Sequence, residues 1–206
     1  EIWTLGSNGF PPVSGDRSIV FDINDNNSLY VEDTTPGVGG DEAQYRARFY
    51  FNPNSMTMAA NDVLDLFTGY KTGGTAVFRV QLQKTAGSYQ VRVGALNDAS
   101  TWVDSAWTII SNQWTSIEVN YITTASAGSL TLWLNGSSAS TLSSIDNDTH
   151  PINKVQLGAL GVCHDDYLLL LDEALTSIVH STVGVPTVGV PSVSGLTPGS
   201  CLRPRQ

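Results

Sequence analysis

The 206-residue sequence predicts an all-β fold, a two-sheet antiparallel sandwich of jelly-roll type with an extended C-terminal arm. Three observations carry this expectation. Apolar and polar residues alternate with period two from end to end. The composition is rich in Gly, Ser, Thr, Asn and Val and poor in Lys and Glu, the reverse of a helical mixture. No segment sustains the 3.6-residue period of an amphipathic helix.

Taken in order, residues 17–23 and 28–32 read as two strands around the polar loop Asn24-Asp25-Asn26-Asn27. Residues 45–51 put Tyr45, Ala47, Phe49 and Phe51 on one face and Arg46 and Arg48 on the other. Residues 61–70 admit a helical turn, but period two favours a strand with Val63, Asp65 and Phe67 on one side. Phe78, Val80 and Leu82 point inward from the next strand, and Tyr89, Val91 and Val93 follow after a Thr85–Ser88 turn containing Gly87, which makes a hairpin. Residues 117–121 and 130–134 are further half-buried strands, the second ended by the turn pair Asn135-Gly136. Residues 155–157 and 167–171 complete the set, and the last, apolar on both sides, belongs inside a sheet.

Charged residues make up only 14% of the chain, net charge is −9 and the pI is about 4.5. That balance argues against a surface that coats nucleic acid or an anionic membrane. No apolar run reaches the length of a membrane-crossing helix, so no membrane insertion is expected. Low charge with many Gly, Ser and Thr reads as an extracellular or cell-surface protein. Cys163 and Cys201 are the two cysteines; in an oxidising compartment they can pair, within or between chains, an intrachain bridge stabilising by roughly 3–4 kcal/mol.

The chain changes character near His180, which divides it into a sandwich, residues 1–180, and a Pro/Gly/Val-rich arm, residues 181–206. The arm has two arginines and no acid, and Val183-Gly184-Val185-Pro186-Thr187 is echoed by Val188-Gly189-Val190-Pro191-Ser192. Proline at that spacing excludes a helix and a central strand. An extended segment remains, with Val183, Val185, Val188, Val190 and Val193 free to dock on the domain or on a neighbouring subunit.

Catalytic patterns are absent: no row of acids on one strand face, no Gly-x-Ser-x-Gly elbow and no phosphate loop. No catalytic residue is therefore assigned and an enzyme is not expected. Oxygen-rich loops suit calcium better than zinc. Asp22, Asn24, Asp25 and Asn26 form one such loop and Asp146, Asn147 and Asp148 another, while Asp172 ends an apolar strand. Asp22, Asp25 and Asp172 are the candidate ligands of one structural calcium. Cys163-His164-Asp165-Asp166 is a polar cluster that reads as a solvated loop.

Arg46, Arg48, Arg79, Gln81, Gln83, Gln90 and Arg92 all point away from the core, as do Tyr50 and Trp133. Placed on one sheet face, guanidinium, amide and aromatic groups can bind a glycan by bidentate hydrogen bonds and stacking. Arg46, Arg48, Arg79, Gln81, Arg92 and Trp133 are the candidate glycan-binding residues; the plain alternative is a solvated face whose arginines pair with nearby acids. Trp102, Trp107 and Trp114 read as packing residues.

The stretches Tyr30-Val31-Glu32-Asp33-Thr34-Thr35-Pro36, residues 45–55, Leu130-Thr131-Leu132-Trp133-Leu134-Asn135-Gly136, Ile145-Asp146-Asn147-Asp148-Thr149 and Val155-Gln156-Leu157-Gly158-Ala159 resemble a bacterial branch of the concanavalin A-like (laminin G-like) jelly rolls. The resemblance spans residues 17–175 and implies the fold, a rim calcium with no assignable ligand, and a role as glycan binder, adhesive module or structural domain. It also implies a first strand that Glu1-Ile2-Trp3 does not supply, leaving an edge that a neighbour's arm could fill by strand addition. Two functions follow as expectations. The first is an extracellular structural subunit that self-assembles through its arm into a filament, sheath or shell. The second is a glycan-binding module with polysaccharide as partner.

Overall fold

The computed structural model describes residues 18–23, 28–59, 62–85, 87–160, 167–172, 179–182 and 185–188. Fifteen strands account for most of them, and there is no α-helix among the described residues. They are β1 (Ser18–Ile23), β2 (Leu29–Asp33), β3 (Gln44–Asn52), β4 (Val63–Tyr70), β5 (Ala76–Thr85), β6 (Ser88–Leu96), β7 (Trp102–Asp104), β8 (Thr108–Ile110), β9 (Thr115–Ile122), β10 (Gly128–Leu134), β11 (Ser137–Ile145), β12 (Lys154–Leu160), β13 (Tyr167–Asp172), β14 (Val179–Thr182) and β15 (Val185–Val188). One sheet runs β1-β13-β3-β9-β10-β11; the other runs β2-β12-β4-β5-β6-β7, with β8 also on β6. Every pairing is antiparallel, as the jelly-roll expectation requires.

Alternation explains the core. Tyr45, Ala47, Phe49 and Phe51 of β3 face Phe78, Val80, Leu82, Val91 and Val93 of the other sheet, all buried. Five rings lock the sheets together: Phe67 lies 5.5 Å from both Phe49 and Phe78, Phe78 lies 5.2 Å from Tyr121, and Tyr45 lies 6.4 Å from Phe67. Each such pair adds about 0.5–1.5 kcal/mol beyond the area it buries. Burial pushes the Tyr45 phenol well above its ordinary value.

The expected single face of Val63, Asp65 and Phe67 is corrected by the register. A bulge between Asp65 and Phe67 shifts the pleat by one residue, so Asp65 pairs with Gln81 outward while Phe67 pairs with Val80 inward. The Thr85–Ser88 hairpin forms as read, and Asn135 and Gly136, with φ of 51° and 78°, make the turn before β11. β13 is paired on both sides, by β1 and β3.

The arm does not stay single. β14 and β15 pair as a ribbon, β14 packs against β3 of its own chain, and the 180/181 boundary falls inside β14. Val185 and Val188 lie on β15, opposite Thr182 and Val179. Val183, Val190 and Val193, like Cys163, Cys201 and the Cys163-His164-Asp165-Asp166 cluster, lie outside the described residues.

Candidate functional site

The outward side of the seven-stranded sheet carries a polar layer built rung by rung. One rung crosses six strands: Glu32, Gln156, Thr68, Arg79, Gly94 and Asp104 stand opposite one another in turn. Five inter-strand spacings make it roughly 24 Å long. Gly94 lets the rung close, because a Cβ there would collide with the Asp104 carboxylate and crowd Arg79 Nε. With no side chain between them, Arg79 reaches across to Asp104, its Nη2 donating at 3.0 Å to each carboxylate oxygen. The adjacent rung holds Asp65, Gln81 and Arg92. Arg92 Nε donates to Gln81 Oε1 at 2.8 Å, and Gln81 Nε2 donates to Asp65 Oδ1 at 2.6 Å. Arg92 Nη2 also lies 3.4 Å from Asp104 Oδ2, so two guanidiniums share one carboxylate.

Aromatic rings complete the layer. The Arg79 guanidinium lies 4.1 Å over the Trp102 ring, and that of Arg92 lies 4.5 Å over Trp107. At the other end of the sheet, Lys154 Nζ and Gln156 Nε2 both donate to Glu32 Oε2, at 2.8 and 2.7 Å, with Lys154 over the Tyr70 ring. The layer is not a solvated fringe. Gln81 is 5% exposed, Gln156 7% and Thr68 2%, although all three point away from the core. Burial raises Asp65 above the ordinary carboxylate value, outweighing the Gln81 hydrogen bond and the charges of Arg79 and Arg92. Burial, with the Asp65 charge, pushes Tyr70 up to about 12.

The candidate glycan residues do not share one face. Arg79, Gln81 and Arg92 sit in this layer, on β5 and β6. Arg46, Arg48 and Trp133 lie on β3 and β10 of the opposite sheet. The sequence shows outward positions, but sheet membership follows from long-range pairing. Trp102 and Trp107, read as packing residues, prove to be the stacking partners of the arginines, and Asp104 and Asp65 enter as acids the sequence reading passed over. The one available signal was the clustering of Trp102, Asp104 and Trp107 in a short segment.

The calcium candidates also separate. In the β1–β13 register, Asp22 stands opposite Leu168 and Asp172 opposite Ser18. They are four rungs apart, about 13 Å along the ladder. With calcium–oxygen bonds of about 2.3–2.6 Å, they are too far apart to share one ion. Asp25 lies outside the described residues. The second acidic loop gathers a different set: one carboxylate oxygen from each of Asp98, Asp146 and Asp148 lies within 4.8 Å of the others. Such a set of oxygen donors is of the kind that a hard cation such as calcium takes. A hydrogen bond to Asp98, followed by burial and the charges of Asp98 and Asp146, raises Asp148. Asp98 is lowered: burial pushes it up, but hydrogen bonds from Thr149 and Asp148 and the neighbouring His150 outweigh this. Behind them His150 is buried, with Lys71 Nζ donating to its Nδ1 at 3.1 Å and its Nε2 against the Asn97 carbonyl at 3.1 Å.

No family model and no curated protein matches the chain. Similar solved structures exist at low identity. The receptor-binding domain of botulinum neurotoxin type G is 10% identical with a TM-score of 0.49, covering 75% of this chain, which spans only 37% of that one. An alginate lyase from Alteromonas sp. 272 is 13% identical, TM-score 0.42, covering 81% of this chain and 75% of that one. A CBM40 module of a Ruminococcus gnavus sialidase, bound to α2,3-sialyllactose, is 14% identical, TM-score 0.41, covering 75% and 90%. At such identities the likeness concerns the fold alone. It nonetheless corrects the expectation that the chain is not an enzyme: several similar structures are alginate or polysaccharide lyases, so this architecture gives no ground for excluding glycan-degrading chemistry.

Proposed function

We propose that the chain is a carbohydrate-recognising β-sandwich that lays an oligosaccharide across the outward face of its seven-stranded sheet. The observation that carries this reading is the rung from Glu32 to Asp104, with the Asp65–Gln81–Arg92 rung beside it. The guanidiniums of Arg79 and Arg92 and the Asp104 carboxylate, 20–24% exposed and bordered by Trp102 and Trp107, lie fixed at the end of this row where a sugar can reach them, while Thr68, Gln81 and Gln156 are buried within it. Sugars present hydroxyls that pair with such groups and C–H faces that stack on rings. Because the side chains are already held by one another, little rotamer entropy is lost on binding. Carbohydrate-binding and receptor-binding domains are among the similar structures, and the reading does not rest on them.

Self-assembly through the arm has less support, because β14 packs against β3 of its own chain. An extracellular or surface location belongs to the same proposal, since polysaccharide is met there. The test is a glycan array probed with the intact chain, followed by calorimetric titration of any glycan found. Arg92→Ala and Trp102→Ala are expected to abolish or strongly weaken binding. Unchanged affinity in both variants would remove the glycan from this face.

A further inference from the structure

The outward side of the six-stranded sheet lies across the core from the layer just described. On it the register puts Arg48, Glu118 and Trp133 on one rung and Arg46, Asn120, Thr131 and Thr141 on the next. Glu118 stands opposite Arg48, yet it is Arg46 that takes it. Arg46 reaches diagonally, with Nε 2.8 Å from Glu118 Oε1 and Nη2 on the same oxygen, and its guanidinium lies 5.4 Å over the Trp133 ring. Arg48 is exposed and has no hydrogen-bond or ion-pair partner among the described residues. On these two rungs two guanidiniums thus stand beside one carboxylate; the backbone of Asp172 pairs with Tyr50, two residues along β3 from Arg48. In a chain with 10 cations and 19 acids, this is a local cationic spot. Charges beyond about 8–10 Å are screened at physiological salt, so the spot acts on a ligand despite the acidic whole.

Around it the sheet offers hydroxyls and amides. Thr131 and Thr141 touch at 3.4 Å, and Gln44 Nε2 donates to Asn120 Oδ1 at 3.2 Å. On β3, β9 and β10 the apolar residues that the register puts on this side are Tyr50, Ile122 and Trp133, each half-buried and none opposite another, so these strands offer no contiguous apolar core of the kind that seeds a protein interface. A hydroxyl-and-amide surface that carries the unpaired Arg48 guanidinium and the Trp133 ring on one rung fits a sugar chain that carries anions.

We propose that this face is a second, separate site for anionic polysaccharide. Arg48 takes a sulfate or carboxylate in bidentate fashion, and Trp133 with the threonine row carries the adjoining sugar. The inference does not depend on the reading of the opposite face.

The experiment is affinity measurement of the intact chain with dextran sulfate, uncharged dextran and polyglutamate, at low and raised salt. The expected result is binding to dextran sulfate that weakens with salt, with dextran and polyglutamate bound far more weakly. Arg48→Ala lowers the affinity roughly tenfold, the size of one charge-assisted hydrogen-bonded contact. Arg48→Lys restores part of it. Lys84→Gln, which removes the same charge from the other sheet, leaves affinity unchanged. Because Arg48 is exposed, its variants are expected to melt like the parent, so loss of binding is not loss of fold. The proposal is overturned if Arg48→Ala binds as tightly as the parent, if uncharged dextran binds equally well, or if polyglutamate competes as strongly as dextran sulfate.

Discussion

Replacing Asp104 by asparagine removes the one carboxylate that Arg79 and Arg92 share. The side chains concerned are only 20–24% exposed, so the pair is neither a solvated surface contact nor a fully buried one. Arg79 Nη2 loses a bidentate partner at 3.0 Å and Arg92 Nη2 a charged neighbour at 3.4 Å, while asparagine keeps one oxygen acceptor. Hydrogen bonds to charged groups are worth about 1.5–3 kcal/mol net, and a partner left half-buried adds to the loss. Allowing for the retained acceptor and the stacking on Trp102 and Trp107, the expected cost is about 2 kcal/mol. For a chain of this size that lowers the melting temperature by roughly 4–8 °C. Urea denaturation of the parent, Asp104→Asn, Arg92→Gln and the double variant measures it. The single and double changes should be non-additive by at least about 0.5 kcal/mol. A loss under about 0.5 kcal/mol with full additivity would mean that the arginines are ordinary surface groups, and the reasoning about a locked layer would be wrong.

Other expectations concern neighbouring groups and the core. Asp65 is held above its ordinary value by burial, so its protonated form is the one the fold favours and its contribution declines as pH rises through the folded pKa. Asp65→Asn should therefore be more stable than the parent at neutral pH, with the advantage vanishing in acid below the ordinary carboxylate value; chemical denaturation across pH reads both, and a variant less stable at neutral pH would contradict the sign. Phe67→Ala removes the ring that touches Phe49, Phe78 and Tyr45, at a cost of about 3–5 kcal/mol measured by the same method. Gly94→Ala drives a Cβ into the Asp104 carboxylate and should cost about 1–3 kcal/mol, where an exposed strand glycine would ordinarily gain from alanine.

Strands with one apolar side were legible because burial of that side sets their period. Tyr45 to Phe51 and Phe78 to Leu82 face inward as the alternation says. β11 escaped notice because its Ser/Thr pattern carries almost no apolar contrast, and β7 and β8 have three residues each. The bulge at Asp65–Phe67 is invisible to a period count, yet it is what turns Asp65 toward Gln81. Alternation marks each of these arginines as outward but says nothing of their grouping, because Arg46 meets Glu118 72 residues away and Arg79 meets Asp104 25 residues away, and no local pattern encodes such pairings. Gly94 has the same character: its need for an empty side-chain position appears only once three strands are side by side.

The most direct test of the central claim follows the indole N–H signals of the five tryptophans by NMR while an array-selected oligosaccharide is added to the intact chain. Binding across the seven-stranded sheet predicts that the Trp102 and Trp107 signals move together and saturate with one affinity, and that Arg92→Ala abolishes the movement. Signals of Trp102 and Trp107 that stay fixed while the glycan binds would contradict the account.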